Sequence, residues 1–539
     1  MPDSFNTMSI NDVPSELLLE FFRLAVYDPS VKRHWNDQVH PPLRMMLAIT
    51  HVCSRWRYVA LENSTLWTGC VDIGRPTKCV EEVLLRSGTQ PLNFTFFIPV
   101  PVHSLGVTMH LSYGAPDILH PHRKLILSRT RSLQVTLPPI FFDEIFDAFK
   151  AYLWQMETIS LEMETWSASL RDEDLFDDKK WRVRILTLKR CTIRLQPKAL
   201  PFLEELRFEH PSMHTFPALA TWLDLFAGLP QLRVLELVEC FQISEDTHRV
   251  SDKIQMPNLK RLVLRTSHPS EYICTPLLEA LALPSSCALT LGTPVQQSAT
   301  SYKALLSVLS NRYNAYDNAL GTHLDLTVAG NAFTLQTQGS SAPGDTFIYF
   351  YFPGGCRHRI NDYTCKLTNA GLIFQTVLEA FRKPIASIRW LTLRTYVHED
   401  EQINPLFNLR LLRKFPELQS ICLNVESVFG GFPPFDNPSH FTDPMTPRLF
   451  WFPGTAYREL VVSRVNFGEA CSLHRLCLAL MKHLKPQPKR WNSEGCIQTL
   501  LLRRCTGLRN WQLAKLEELI GIKYGVDIRC IECEVLDHY

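Results

Sequence analysis

One phrase recurs through this chain and limits what it can fold into: Leu-x-x-Leu-x-Leu. It stands at Val183–Cys191, Leu203–His210, Leu232–Cys240, Leu259–Ser267 and Leu278–Pro284, and again at Ile388–Leu393, Leu418–Leu423, Tyr457–Val462 and Ile497–Leu502. Its last two apolar positions alternate, as in a strand with one buried face, and the first lies three residues earlier, at the turn into that strand. A unit of this kind cannot bury its apolar side alone, whereas copies stacked side by side can. The equivalent leucines Leu186, Leu206, Leu235, Leu262 and Leu281 stand roughly 19 to 29 residues apart, a period that suits one strand and its return connection. Leu219–Ala227, Tyr302–Leu309 and Ala370–Phe381 lie between such phrases and read as amphipathic helices. The pattern predicts an α/β repeat array over 131–539.

Two stretches break the rhythm. Near 331–360, Phe347-Ile-Tyr-Phe-Tyr-Phe is aromatic and strand-like, as in a hairpin inserted into the array. Near 429–448 the chain is too rich in Pro and Gly for regular structure, and its four phenylalanines serve either as anchors for a partner or as a self-packed cover. The step between leucines is that of leucine-rich repeats, which these phrases resemble. On that resemblance the array is a leucine-rich-repeat-like solenoid.

Composition narrows the function classes. Lys+Arg of 56 against Asp+Glu of 54 leaves no global field to hold a nucleic acid backbone. The local basic run Lys482–Trp491 reads as a solvated loop. No apolar stretch reaches the roughly 18 residues that cross a bilayer. Sixteen cysteines without framework spacing point to a reducing compartment, cytoplasm or nucleus, with Cys191, Cys240 and Cys505 filling the turns after strands.

The first 75 residues are of another kind. Asp12 and Pro14 mark a helix start, and a helix from about Pro14 to Val26 follows. Glu16, Glu20 and Arg23 form one narrow polar stripe on it, and the apolar arc covering the rest is too wide to hide against one neighbour. That helix is either sandwiched inside its own domain or docks a partner with one face. Asp28–Pro42 reads as a loop. Beyond it Met46, Ile49, Val52, Trp56 and Val59 recur at helical spacing.

Val13-Pro14-x-Glu16-Leu17-Leu18, Val52-Cys53-x-Arg55-Trp56-Arg57-x-Val59-Ala60 and Leu66-Trp67, in that order, resemble the F-box, in the form common in large fungal families where an insert separates the first two helices. The resemblance implies a small all-α module that docks on the adaptor subunit of an SCF-type cullin-RING ubiquitin ligase, followed by a region that recruits a protein substrate. Pro14, Leu17, Leu18 and Phe21 match the positions that face the adaptor, and Val52 and Trp56 match a second apolar cluster. Trp67 packs the module against the next part of the chain. The domain order expected is this module over 1–75, a linker and cap over 76–130, then the array. One rival is a protein-interaction scaffold with an F-box-like cap and no ligase; the other is a hydrolase or metal enzyme carried by the aromatic insert near 331–360.

Catalytic constellations are missing from the sequence. There is no Gly-x-x-x-x-Gly-Lys loop, no Gly-x-Gly-x-x-Gly after a strand, no His-Glu-x-x-His and no Gly-x-Ser-x-Gly. Cys530-Ile-Glu-Cys533 lacks a second ligand pair, and Cys356, His358 and Cys365 fit no zinc spacing. No enzyme, cofactor or metal site is expected. If the array is an open arc, a substrate would meet residues such as Thr187, Arg207, Glu236, Val263 and Thr392, whose mixed charge names no target class.

Overall fold

The computed structural model describes residues 12–27, 41–73, 75–97, 122–137, 149, 151–163, 181–191, 200–210, 219–240, 253–266, 274–284, 286–294, 300–314, 323–329, 332–338, 346–351, 381, 388–397, 418–427, 459–463, 497–505, 507–533 and 535–536. The expected helix Ala370–Phe381, apart from Phe381, lies outside these residues, as do the stretch near 429–448, the basic run and the Asp28–His40 part of the loop. The chain divides into two compact units, Met1–Gln242 and Ile243–Tyr539.

In the first unit, helices α1 (Ser15–Tyr27), α2 (Pro41–Thr50), α3 (Ser54–Glu62) and α4 (Thr77–Arg86) precede strand β1 (Leu92–Phe97). Helix α5 (Arg123–Arg129) then leads directly into β2 (Thr130–Leu137). Strands β3 (Thr158–Met163), β4 (Ile185–Lys189) and β5 (Glu205–Glu209), helix α6 (Leu219–Ala227) and strand β6 (Val234–Val238) come next. Each strand from β1 to β6 pairs in parallel with the next in chain order. The ladder therefore starts at Leu92, well before 131. The segment 76–130, expected as a linker and cap, supplies the first strand of the ladder.

Alternation sets which face is buried. Ile159 and Leu161 of β3, Leu186 and Leu188 of β4, Leu206 and Phe208 of β5, and Leu235 and Leu237 of β6 are all enclosed, and the residues between them stay half-exposed. Each such leucine contributes about 1.5 to 3 kcal/mol by leaving water. The first position of the phrase is buried too, at Val183, Leu203, Leu232 and Leu259.

After the strand the backbone turns through the left-handed region at non-glycine residues: Arg190, His210, Glu239, Arg504 and Glu532 have φ between 48° and 54°. That conformation costs about 1 to 2 kcal/mol each. It aims the residue's N–H at the neighbouring strand, as in Arg190 N–H to the Glu209 carbonyl at 2.8 Å and His210 N–H to Val238 at 2.7 Å. One position later, after Arg190, Glu239, Arg504 and Glu532 but not after His210, stands a cysteine. Cys191 Sγ donates to Lys189 at 3.2 Å, and Cys240 Sγ donates to Phe208 at 2.9 Å and Val238 at 3.2 Å. Burial pushes the Cys191 thiol up to about 12, so these sulfurs act as neutral structural donors.

The second unit continues the theme around an antiparallel insert. Its strands are β7 (Ile254–Gln255), β8 (Arg261–Arg265), β9 (Leu281–Ala282), β10 (Ala288–Pro294), β11 (His323–Ala329), β12 (Ala332–Gln338), β13 (Thr346–Tyr351), β14 (Trp390–Val397), β15 (Ser420–Ser427), β16 (Glu459–Ser463), β17 (Thr499–Arg503), β18 (Leu508–Arg509), β19 (Asp527–Ile531) and β20 (Val535–Leu536). Its helices are α7 (Cys274–Ala280), α8 (Thr300–Asn314) and α9 (Asn510–Leu516). The main sheet of this unit runs β8-β10-β13-β12-β11-β14-β15-β16-β17-β19. Pairing is parallel except at β11–β12 and β12–β13. The expected hairpin is thus a three-stranded meander that opens at His323 instead of residue 331.

One phrase is not a sheet strand. Leu278 lies on helix α7, and Leu281–Ala282 pairs only with the short β7. The sheet position belongs to β10, where Leu289 pairs in register with Leu262. The repeated α/β units and the dominant parallel pairing are consistent with a solenoid-like α/β fold.

Candidate functional site

The N-terminal helices hold one another through a small set of contacts. Leu18, Phe22 and Val26, at i, i+4 and i+8, form the buried face of α1. Leu43, Met46 and Ile49 are the buried apolar residues of α2, and Val59 and Ala60 those of α3. Cys53 caps α3, its Sγ accepting from Trp56 N–H at 3.4 Å. The Arg57 Nε donates to the Thr50 carbonyl at 2.8 Å. The Arg55 guanidinium donates to the carbonyl of Val13, which draws the start of α3 to the start of α1. The Phe22 and Trp56 rings pack with centroids 5.0 Å apart.

Two aromatic side chains tie the helices to the turn that follows them, and one of them reaches α4. Trp67 is buried, donates from Nε1 to the Ala60 carbonyl at 2.8 Å and lies under the Arg86 guanidinium at 4.4 Å. Tyr27 Oη donates to Leu66 O at 2.9 Å and accepts from Gly69 N–H at 3.1 Å, and burial raises its pKa. A Cβ on Gly69 would stand 2.6 Å from Tyr27 Cε1. Gly69→Ala should therefore cost about 1 to 3 kcal/mol through overpacking. Tyr27→Phe should cost about 1 to 3 kcal/mol by orphaning the Gly69 N–H. Urea midpoints of the two variants check this, and unchanged midpoints would dismiss the clamp.

What these helices leave open is apolar. Leu17, Phe21 and Leu24, at i, i+4 and i+7, are 54%, 56% and 61% exposed. Pro14 is exposed at the head of the same helix, and Val52, in the turn between α2 and α3, is 59% exposed. The Arg55 side chain bonds the carbonyl of Val13, the residue before Pro14. Together these residues make an uncovered surface that buried positions of α1 hold in place.

Two of the residues assigned to docking stand elsewhere. Leu18 is 1% exposed: at 100° per residue it stands about 60° from Phe21, on the side it shares with the buried Phe22 and Val26. It is a support of the face and not part of it. Trp56 is half-buried against Phe22, with its indole Nε1 enclosed and lacking a hydrogen-bond acceptor. Leu24 was not in the expected set, although its i+7 spacing from Leu17 was visible. Met45, Leu47, Tyr58 and Leu61 are further exposed apolar side chains on α2 and α3.

The strand face offers less. Thr187, Arg207 and Glu236 sit side by side in register across β4, β5 and β6. Their charges are largely met locally: Arg207 pairs with Glu205 at 3.0 Å and Glu236 at 4.0 Å, and Lys189 with Glu209 at 3.0 Å. Val263 is fully buried, so it presents nothing to a ligand, contrary to its expected place. Thr392 is half-buried between Asp325 and Cys422 in register. Cys356, His358 and Cys365 lie outside the described residues. Among the described residues no three metal-ligating side chains converge, and no helix is long and apolar enough to cross a membrane.

The chain matches no protein-family model and no curated protein.

Proposed function

We propose that this chain is the substrate-recognition subunit of an SCF-type cullin-RING ubiquitin ligase, working in the cytoplasm or nucleus and performing no chemistry itself. The N-terminal helices act as the F-box and the strand repeats as leucine-rich repeats that receive a protein substrate. The observation that carries this reading is the open stripe Leu17–Phe21–Leu24 on α1, with Pro14 and Val52 exposed as well. An amphipathic helix with an uncovered apolar stripe seats into a groove of another protein. Leu18 and Trp56 serve by fixing the angle of that helix. The mechanism is tethering: with one end on the adaptor, the chain raises the concentration of its target beside the ubiquitin-loading enzyme.

The test is co-assembly. The full chain is co-expressed with the adaptor, purified, and mixed with the cullin. A stoichiometric three-protein peak on size exclusion is expected. Adaptor binding without cullin entry, or failure to bind the adaptor at all, would overturn the ligase reading and leave the non-ligase scaffold.

A further inference from the structure

The main sheet ends at β19, and that end is unlike the strands before it. β19 pairs in parallel with β17, which sets Ile528 beside Leu500 and Cys530 beside Leu502. Leu500 and Leu502 are fully enclosed, whereas Ile528 is half-buried and Cys530 exposed. Ile531 on the same strand is exposed, and so is Ile522 shortly before it. A stacked array needs a polar cap where it stops. The core-facing positions of β19 are left open instead.

The backbone of β19 is open along the same side. Asp527 N–H donates to the Gln498 carbonyl at 2.8 Å, and the Ile531 carbonyl accepts from Arg504 N–H at 2.9 Å, both toward β17. Backbone groups alternate sides along a strand, so those of Ile528 and Cys530 point to the outer edge. Among the described residues no strand pairs that edge. Such a row of donors and acceptors is a template for a further strand, and no proline interrupts it. The face away from the core carries Asp527 and Arg529, paired with each other at 2.6 Å and both largely in solvent.

We propose that a second copy of this chain adds to the edge of β19, antiparallel, about a two-fold axis at Ile528. The strand's own charges select that occupant and that register. Opposed residues in an antiparallel pair share a face, so a two-fold axis passes beside a single residue. At Ile528 it sets Asp527 of each copy against Arg529 of the other. This is the closely spaced, non-hydrogen-bonded kind of pair, in which side chains approach most, while the two Ile528 residues exchange both N–H···O bonds. The ion pair within each strand opens into a square of four alternating charges. An axis at Asp527 or Arg529 would oppose like charges, and one at Cys530 would set Arg529 against Ile531. On the other face the Ile528 side chains meet across the axis, and the open end of each array becomes the continuation of its twin.

Sedimentation of the full chain over a concentration series at low salt tests this. The parent is expected to show a monomer–dimer equilibrium, with slower amide exchange at Ile528 and Cys530 as the dimer fills. Asp527→Arg and Arg529→Asp each oppose like charges across the axis, so each alone should dimerise about tenfold or more less tightly. Mixed one to one, the two variants present opposite charges to each other at both positions, and dimerisation should return. The ion pair within the strand is broken in both variants and stays broken on mixing, so the return reads the contact between copies alone. A parent that is monomeric at every concentration, variants that dimerise as tightly as the parent, or a mixture no tighter than its components would overturn the proposal.

Discussion

A Leu17→Asp chain should fold as well as the parent and lose the proposed adaptor. The substitution sits in the first turn of α1, where a carboxylate meets the positive end of the helix dipole, and the side chain it replaces is mostly in water. Folding stability should move by no more than about 0.5 kcal/mol. In a complex the same position is covered. The loss of leucine burial is worth about 1.5 to 3 kcal/mol, and a carboxylate buried without a partner costs more again. Together they weaken binding at least about a hundredfold, since each 1.4 kcal/mol is tenfold. Phe21→Ala should lose about 2 kcal/mol or more as an aromatic anchor. Glu20→Ala, which breaks only an exposed pair with Arg23 at 3.5 Å, should change binding by less than about 1 kcal/mol. Titration calorimetry of the three variants against purified adaptor, with melting curves alongside, separates docking from folding. Parent-like affinity in Leu17→Asp would end the docking assignment.

The difference between Leu17 and Leu18 shows where the sequence stops informing. A helical wheel of α1 displays an apolar arc wider than one neighbour can cover, but it does not say which part α2 and α3 will take. That was settled by contacts distant in sequence, Phe22 with Trp56 and Arg55 with the Val13 carbonyl. Within the array the phrases were legible where leucine or isoleucine held at least two of the three positions, and β4, β5, β6, β8, β14, β15 and β17 stand on them. β3 carries the same phrase as Met156-x-x-Ile159-x-Leu161, all three buried, with methionine at the first position and leucine only at the third. The converse error at Leu278 has a physical source. Leu278 and Leu281 are three apart, a spacing that serves one turn of helix as well as the approach to a strand. Periodicity alone cannot choose between them, and the strand went to Leu289 and Leu291 just beyond Cys287. The alternation of Asp527 and Arg529 was visible as a spacing, but its place on an open edge depends on where the sheet's pairing ends.

The alternation in β6 makes a sharp energetic contrast between adjacent residues. Leu237 is fully enclosed and in register with Phe208 of β5, so Leu237→Ala leaves a cavity between stacked repeats and should cost about 2 to 5 kcal/mol. Glu236 points to the other face, where its ion pair with Arg207 is long and partly solvated, and Glu236→Ala should stay within about 1 kcal/mol. In a repeat array each unit is stabilised by its neighbours, so the damage from Leu237→Ala should spread outward from β6. Amides of β5, whose Glu205–Glu209 ladder meets β6, should exchange faster in that variant, and those of β17 should not. Chemical denaturation of both variants with hydrogen exchange read by mass spectrometry measures the contrast. Equal costs at 236 and 237 would mean that β6 does not bury the face described, and the repeat reading of the whole sheet would fall with it.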